Sequence, residues 1–560
     1  MPEEHKRSKI ELIKEASRGL RGNIGGELVT ESSHFSKESV QLLKFHGIYQ
    51  QEDRDQRKIR RRTGREKAYQ FMVRIKNPGG GRLTPEQWVV LDDIADLYGE
   101  GSMRITTRQG IQFHGVGKVN LKETIQYLDR HRVSTFGACG DGNRNTMACP
   151  VSGLRKDSCF DGGEWAARIA ERFALGSSAY FEIWLDGEKV EQEESEPLYG
   201  KTYLPRKFKI AVGDPHDNCV DLLSNDVGLL PVLSGGTLEG FDVFVGGGLG
   251  STHLKAETYP RLADPLGFVL PAKTLDLLES IILTQRDLGN REDRRQARMK
   301  YLVEKLGIAA FRREVESRLG ERLLGLRPWS LGSTEHHLGW HQQRQESRSY
   351  LGIFVENGRV EDRHDRKLKT GLRALIELAR PTVLLTPNQD LILADIPEEV
   401  VSDVRRLAQR FGLVAESASA LRTSSFACPA LPTCGLAITE AERRLPSLID
   451  ELEEAGFGHE QIKIRMSGCP NSCSRPPVAE IGLVGKSVNG YNLLVGGNRS
   501  GTRLAELLFE DVRSEDLASE IGRLIRIYRR NRRPDEHFGD FCHRVGVESL
   551  RSHLAEEIAV

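Results

Sequence analysis

FMVRIKNPGGGRLTPEQWVVLDDIADLYGEGSMRITTRQGIQFHGV, residues 71–116, alternates apolar and polar positions at both ends and spaces its apolar residues helically in between. The same strand–helix–strand order returns at 350–396, as YLGIFVENGRV, LKTGLRALIELAR and PTVLLTPNQDLILADI. Laying TTRQGIQF (106–113) on TPNQDLIL (386–393) keeps Thr106 with Thr386, Gln109 with Gln389, and the apolar alternation. The stretch C-terminal to each unit repeats as well. Ala-Cys-Pro stands at 148–150 and at 427–429, and FDVFVGGGLGS (241–251) has a counterpart in YNLLVGGNRSGT (491–502). Single matches this short arise by chance, but their shared order is harder to obtain that way. The chain therefore reads as an α+β internal duplication with pseudo-twofold architecture. Two related halves suit a large ligand held at their interface.

Length agrees, since 560 residues exceed what one hydrophobic core serves. Lys+Arg and Asp+Glu balance at 80 each, so no global charge draws the chain toward nucleic acid or a membrane surface. The opening MPEEHKRSKIELIKEA lacks the apolar core of a secretion signal, and no apolar run reaches the ~18 residues of a spanning helix. Nine cysteines, sparse and odd in number, argue against a disulfide framework and for a reducing compartment, the cytoplasm. Residues 1–65 read as a polar arm with one island, LLKFHGIYQQEDRD (42–55). Within 54–67 there are eight Lys/Arg and two acids, which reads as a solvated, mobile segment rather than a nucleic-acid patch. Residues 284–345 read as a charged helical connector on the surface, and RIYRRNRR (526–533) as a solvated helix face.

The last third carries two thiol pairs. Cys428 and Cys434 are separated by five residues in ACPALPTCGLA, and Cys469 and Cys473 by three in SGCPNSCSRPP. Four converging thiolates bind zinc or an iron–sulfur cluster. Structural zinc sites use tighter pairs, so the wider gap fits zinc poorly. Gly468, Pro470 and Pro429 keep these loops open, so that backbone N–H groups turn toward sulfur and stabilise the negative charge of a cluster. The bland alternative is four buried, inert thiols. Cys139, Cys149, Cys159, Cys219 and Cys542 show no pairing at ligand spacing and read as structural.

This cysteine spacing resembles the sirohaem sulfite and nitrite reductase family. The likeness runs along nearly the whole chain, through FHGIYQQEDRD, FMVRIKNPGG, RITTRQGIQFHG, GNRNTMACP, YGKTYLPRKFK, LTQRDLGNREDR and LVGGNRSGTR. It implies two ferredoxin-like halves and two α/β cofactor-binding domains. The division expected is an N-terminal arm at 1–68, a first half at 69–136, a sirohaem- and substrate-binding domain at 137–345, a second half at 346–418, and an iron–sulfur and sirohaem domain at 419–560. The resemblance further implies that Cys428, Cys434, Cys469 and Cys473 bind a [4Fe-4S] cluster, with Cys473 also the axial ligand of the sirohaem iron. Arg74, Arg144, Lys207 and Lys209 match basic residues of the family's substrate pocket. Arg104, Thr106, Arg108, Gln112 and His114 match its sirohaem-contacting strand, and Arg206 and Asn471 match further sirohaem contacts.

The residue chemistry suits these roles. Taking sulfite to sulfide moves six electrons and removes three oxygens as water, so the protein must bind a small oxyanion and deliver protons. Arg offers a fixed fork for oxygens, while Lys is a compact charge whose pKa shifts readily. Positions 207 and 209 share one face of a strand. Sirohaem bears eight carboxylates and needs many cationic or hydrogen-bonding groups. RITTRQGIQFH places its polar residues at even positions, hence on one strand face, although a solvated strand would look the same. GGGLGS (246–251) lacks the setting of a dinucleotide loop and reads as tight packing near the macrocycle.

By resemblance, the function expected is assimilatory sulfite reduction, in sulfate assimilation and cysteine biosynthesis. The closest alternative is nitrite reduction. Lys209 favours sulfite, because the family's nitrite reductases tend to carry Asn there. A zinc-stabilised nucleic-acid-binding protein, using the thiols and the 54–67 run, is a rival of another class. Electrons are expected from a separate protein, an NADPH-dependent flavoprotein subunit or, alternatively, a ferredoxin.

Overall fold

Thr84 starts the helix Pro85–Leu97. Its hydroxyl accepts from the Gln87 N–H at 3.2 Å, and the Gln87 side chain accepts from the Thr84 N–H at 3.0 Å. Pro85 sits where a missing N–H costs nothing. The helix buries Trp88, Leu91, Ile94 and Ala95. Leu368–Ala379 is its counterpart in the second unit, burying Leu372, Leu375 and Ile376. The computed structural model describes residues 7–177, 179, 183–185, 188–190, 196–364, 366–414 and 418–558.

Each unit becomes a five-stranded antiparallel sheet. The first runs in the order Ile48–Glu52, Tyr69–Arg74, Ile111–Val116, Met103–Ile105, Arg359–Val360. The second runs Gly339–Gln342, Arg348–Ile353, Leu391–Pro397, Thr382–Leu385, Arg82–Leu83. The last strand of each comes from the other half, so the two sheets exchange an edge and share one apolar core. Gln109 and Gln389 brace the exchange. Both hold left-handed backbone, at φ 52° and 73°. Gln109 Nε2 donates to the Leu385 carbonyl at 2.9 Å, and Gln389 Nε2 to that of Ile105 at 3.2 Å. Each glutamine thus caps a strand end of the opposite half.

The α/β sheets are duplicated in the same sense. One orders its strands Met147–Ala148, Ile210–Val212, Val227–Ser234, Thr237–Val245, Asp264–Val269, and the other Phe426–Ala427, Ile464–Ser467, Ile481–Ser487, Gly490–Val495, Glu506–Arg513. In both, the first three strands are parallel and the rest antiparallel.

Three expectations are corrected. Residues 7–68 are not a detached arm. Leu20, Leu42 and Phe45 enter the core of the first α/β sheet, Phe35, Leu43 and Ile48 enter the core of the paired sheets, and Ile48–Glu52 is an edge strand. Too few apolar residues per window hid this packing. The even-numbered residues of RITTRQGIQFH do not share one strand, because the chain turns back between Met103–Ile105 and Ile111–Val116. Thr106 spends its hydroxyl on that turn, accepting from the N–H groups of Arg108 and Gly110 at 3.3 and 3.1 Å. Finally, 284–345 is no surface connector. Met299, Val303, Phe311 and Val315 are core residues, and the basic side chains of Arg294, Arg295 and Arg298 line an internal cavity.

Candidate functional site

The strands Phe426–Ala427 and Ile464–Ser467 run parallel, and each ends in a thiol loop. Cys428 follows the first, and Cys469 and Cys473 follow the second. Gly468 lets the loops touch, since a Cβ there would lie 2.5 Å from the Thr439 carbonyl and 2.6 Å from the Ala430 Cβ. Its N–H points at the Cys428 sulfur at 3.4 Å, and Asn471 Nδ2 at the Cys469 sulfur at 3.5 Å. Burial raises the Cys428, Cys434 and Cys469 thiols, Cys469 to about 11, and the charge of Cys473 raises all three further. The four sulfurs therefore converge on one place, and no three of them lie within 4.8 Å of one another. Around a single tetrahedral zinc, sulfurs stand about 3.8 Å apart. The spread suits a larger inorganic core.

Cys473 is the exposed thiol of the four, and it opens onto a cavity between the two α/β sheets. Eight cations line this cavity, namely Arg108, Arg206, Lys207, Lys209, Arg294, Arg295, Arg298 and Arg475, and no carboxylate does. In a chain of zero formal charge this is a strong local bias. Several of the cations are balanced from behind. Asp141 pairs with Arg294 at 2.7 Å, Asp226 with Arg298 at 2.8 Å, and Asp221 with Arg475 at 2.7 Å. Lys207 and Lys209 have no carboxylate at ion-pair distance among the described residues. Phe208 is buried between them, so both ammonium groups face the cavity. Burial, then the charges of Arg298 and Arg206, pushes Lys207 down to about 7. Burial and then Lys207 push Lys209 well below the usual lysine range.

Arg74 and Arg144 stand behind this wall, also without a carboxylate partner among the described residues. Arg74 Nη1 donates to the Cys139 sulfur at 3.0 Å, and its Nε to the Gln112 side chain at 2.9 Å when that amide is oriented oxygen-inward. Arg144 donates to the Gly140 carbonyl at 2.9 and 2.6 Å, and its charge helps to lower Lys207. Arg104 is buried between the Asn357 and Ala427 carbonyls and Glu442. His114 is buried with neither ring nitrogen hydrogen-bonded, as are Arg108 Nε and the Asn143 amide. Arg104, Thr106, Gln112 and His114 lie outside the cavity lining; Arg108, Arg206, Asn471 and Cys473 are in it.

Several residues of the site carry no signal in the sequence. Thr107, not Thr106, reaches the site, donating from its hydroxyl to the Cys473 carbonyl at 3.0 Å. Asn225 accepts from Arg108 at 2.8 Å. Lys76, lowered to about 7 by burial and then by Arg144, donates to the Asn143 carbonyl. Arg294, Arg298 and Arg475 were hidden in a run read as surface and in the tail of the thiol motif. GGGLGS does pack tightly here, since a Cβ on Gly250 would lie 2.9 Å from the Asn471 carbonyl.

Residues 139–323 and 427–560 match the model of the nitrite and sulphite reductase 4Fe-4S domain, and 62–131 and 341–410 that of the nitrite/sulfite reductase ferredoxin-like half domain. The sulfite reductase [NADPH] hemoprotein beta-component of Oceanobacillus iheyensis is 43% identical over 97% of this chain and 96% of its own length. That of Geobacillus kaustophilus is 43% identical over 96% of each. Among solved structures, the Mycobacterium tuberculosis NirA protein superposes with a TM-score of 0.80 over 98% of both chains at 25% identity.

Proposed function

Because the chain belongs to the nitrite and sulphite reductase family, we propose a division of labour at its cavity. Cys428, Cys434, Cys469 and Cys473 hold the [4Fe-4S] cluster. The carboxylate-backed cations, with Arg108, Asn471 and the Arg104–His114 hairpin, hold sirohaem. The unbalanced cations Arg74, Arg144, Lys207 and Lys209 take the oxyanion. The enzyme is an oxidoreductase that reduces sulfite with those two cofactors. The observation that carries the assignment is the eight-cation cavity with Cys473 in its wall.

The residues fit both groups. Sulfurs too far apart for one ion suit a cube. The orphaned nitrogens of Arg108 and His114 and the orphaned Asn143 amide suit a ligand rich in acceptors and donors. Cys473, the exposed thiol in the cavity wall, would hold the cluster on the side that faces sirohaem.

When bound, the two groups would pass on, in steps, the six electrons that the separate donor protein supplies for the reaction SO3²⁻ + 6 e⁻ + 7 H⁺ → HS⁻ + 3 H2O. The protein supplies charge and protons. Lys207 and Lys209 neutralise the oxyanion in a site that has no carboxylate to compete for them. An ammonium near pH 7 gives up a proton readily and regains it from solvent through the open cavity. Arg74 and Arg144, locked by a thiol, a glutamine and backbone carbonyls, act as fixed positive charges.

The relatives' names specify NADPH and a beta component, which supports a separate NADPH-dependent flavoprotein as donor rather than a ferredoxin. No described helix is long and apolar enough to cross a membrane. The test is protein made in cells that synthesise sirohaem, assayed for visible absorption, iron, acid-labile sulfide and viologen-driven turnover. Pigmented protein with a higher kcat/KM for sulfite than for nitrite is expected. Colourless, iron-free protein overturns the cofactor assignment, and a preference for nitrite overturns the substrate.

A further inference from the structure

The duplication places a second ligand set where the first half corresponds to the cluster loops. Cys149 follows the strand Met147–Ala148 as Cys428 follows Phe426–Ala427, both within Ala-Cys-Pro. The loop after Ile210–Val212 begins Gly213-Asp214-Pro215 where the other begins Gly468-Cys469-Pro470, and it carries Asp217 and Cys219. His337 comes to this loop from the segment that leads into Gly339–Gln342.

Asp217 is the hub. Its Oδ2 accepts from the Cys149 thiol at 3.2 Å and lies 2.8 Å from His337 Nε2. Its Oδ1 is held by the N–H groups of Cys219 and Glu335 at 3.0 and 3.1 Å, which aims the other oxygen inward. The Cys149 sulfur, an Asp217 oxygen and a His337 nitrogen all lie within 4.8 Å of one another, the one such trio among the described residues. Cys219 is buried beside this trio, and it holds Asp217 through its backbone N–H. Cys149, Cys219 and Asp217 are at most 2% exposed, and His337 holds φ 54°, a strained conformation for a residue with a Cβ.

We propose that Cys149, Asp217 and His337 form a single-ion site for a divalent metal of the zinc class. One sulfur, one imidazole and one carboxylate are zinc donors, and three protein ligands with a fourth position open is a zinc pattern. Ligand atoms stand about 3.3–3.8 Å apart around a tetrahedral zinc. The contacts of 2.8 and 3.2 Å need only a few tenths of an ångström of widening. The ion would clip the segment before Gly339, which has no helix or strand, to the loop that supplies Asn225 to the cofactor cavity. The duplicated cradle would then hold a cube in one half and one ion in the other. The site does not depend on the cluster assignment.

The test uses the holoenzyme, incubated with zinc chloride and desalted through a chelator. About one zinc per chain is expected, with an X-ray absorption shell of mixed sulfur and nitrogen or oxygen and the sulfur near ~2.3 Å. Cys149→Ser and His337→Asn should each lose that zinc while iron, acid-labile sulfide and haem absorbance stay as in the parent. Wild-type protein that retains no zinc overturns the proposal. So does an all-sulfur shell, which would place zinc on the four late thiols, or zinc retained in both variants. If a variant fails to fold, the wild-type shell alone decides.

Discussion

Two loops occupy equivalent places after equivalent strands, and they serve the cavity in different ways. The loop at 468–480 carries Cys469 and brings Cys473 to the cavity, both groups that become anionic on ligation. The loop at 213–226 ends in Asn225 and Asp226, which hold Arg108 and Arg298 on the cavity wall. The backbone frame was copied, glycines and prolines included, while the side chains diverged, to thiols in one loop and, in the other, to amide and carboxylate groups that hold cations on the cavity wall. A site between such loops can take a metal core against one wall and polyanions against the other. Duplication supplies the enclosure, and divergence supplies the field across it.

The largest test of this contrast compares the two Ala-Cys-Pro cysteines. Cys428→Ser should strip iron and acid-labile sulfide and cut sulfite turnover by at least ~10³-fold, because the electron supply goes with the ligand. Cys149→Ser should leave iron and absorbance unchanged. Loss of iron in both would mean that the halves are not chemically distinct. Next in size is the cationic wall. Lys209→Met should retain pigment and lower kcat/KM for sulfite by roughly 10²–10³-fold. Lys209→Asn should also raise the ratio of nitrite to sulfite turnover. Arg294→Gln, which removes a carboxylate-backed cation, should lower sirohaem content instead, with turnover per haem nearly kept. If both classes of variant lost pigment equally, the division between paired and unbalanced cations would fail.

A pH titration sharpens the same point with a smaller effect. Lys207 sits at about 7, below the ordinary lysine value, because burial and neighbouring cations disfavour its proton. Below that pH the amine is charged and attracts the oxyanion. As pH rises through it, the charge is lost and binding weakens, by up to about tenfold per unit for one required proton. Lys207→Gln should flatten that slope between pH 6 and 8, read as the apparent Kd of sulfite for the oxidised holoenzyme.

The sequence revealed this architecture where periodicity and short motifs sufficed. The helix Pro85–Leu97 announces itself through Thr84, Pro85 and Gln87, and the repeat of Gln109 in Gln389 marks two ends of one brace. The thiol pairs are legible because the ligands are few and flanked by Gly and Pro. What stayed hidden depends on who stands behind whom. Arg294 and Arg298 look like any solvated cations until Asp141 and Asp226 are found beneath them. Thr107 and Thr106 differ only in which side of a tight turn they occupy. Cys149, Asp217 and His337 come from three separated segments, and no linear spacing links them. Long-range pairing is not a property of any window of sequence.

The smallest effect asks whether the two halves still resemble each other where chemistry is absent. Gln109 Nε2 shares its two hydrogens among three buried carbonyls, those of Gly80, Ala148 and Leu385, and its Oε1 accepts from the Ala148 N–H, whereas Gln389 Nε2 donates to two, those of Ile105 and Asn357, and its Oε1 accepts no hydrogen bond. Truncating either glutamine leaves buried acceptors unpaired, at a cost of about 1–3 kcal/mol for each site. Gln109→Ala should therefore destabilise more than Gln389→Ala, because it also unties the strand end at Ala148, next to Cys149. Both should leave iron content intact and lower the unfolding midpoint in a denaturant titration, the first by more. Equal shifts would show that the exchanged edge strands alone carry the brace. A larger shift for Gln389→Ala would reverse the asymmetry and assign the stiffer junction to the half that carries the thiols.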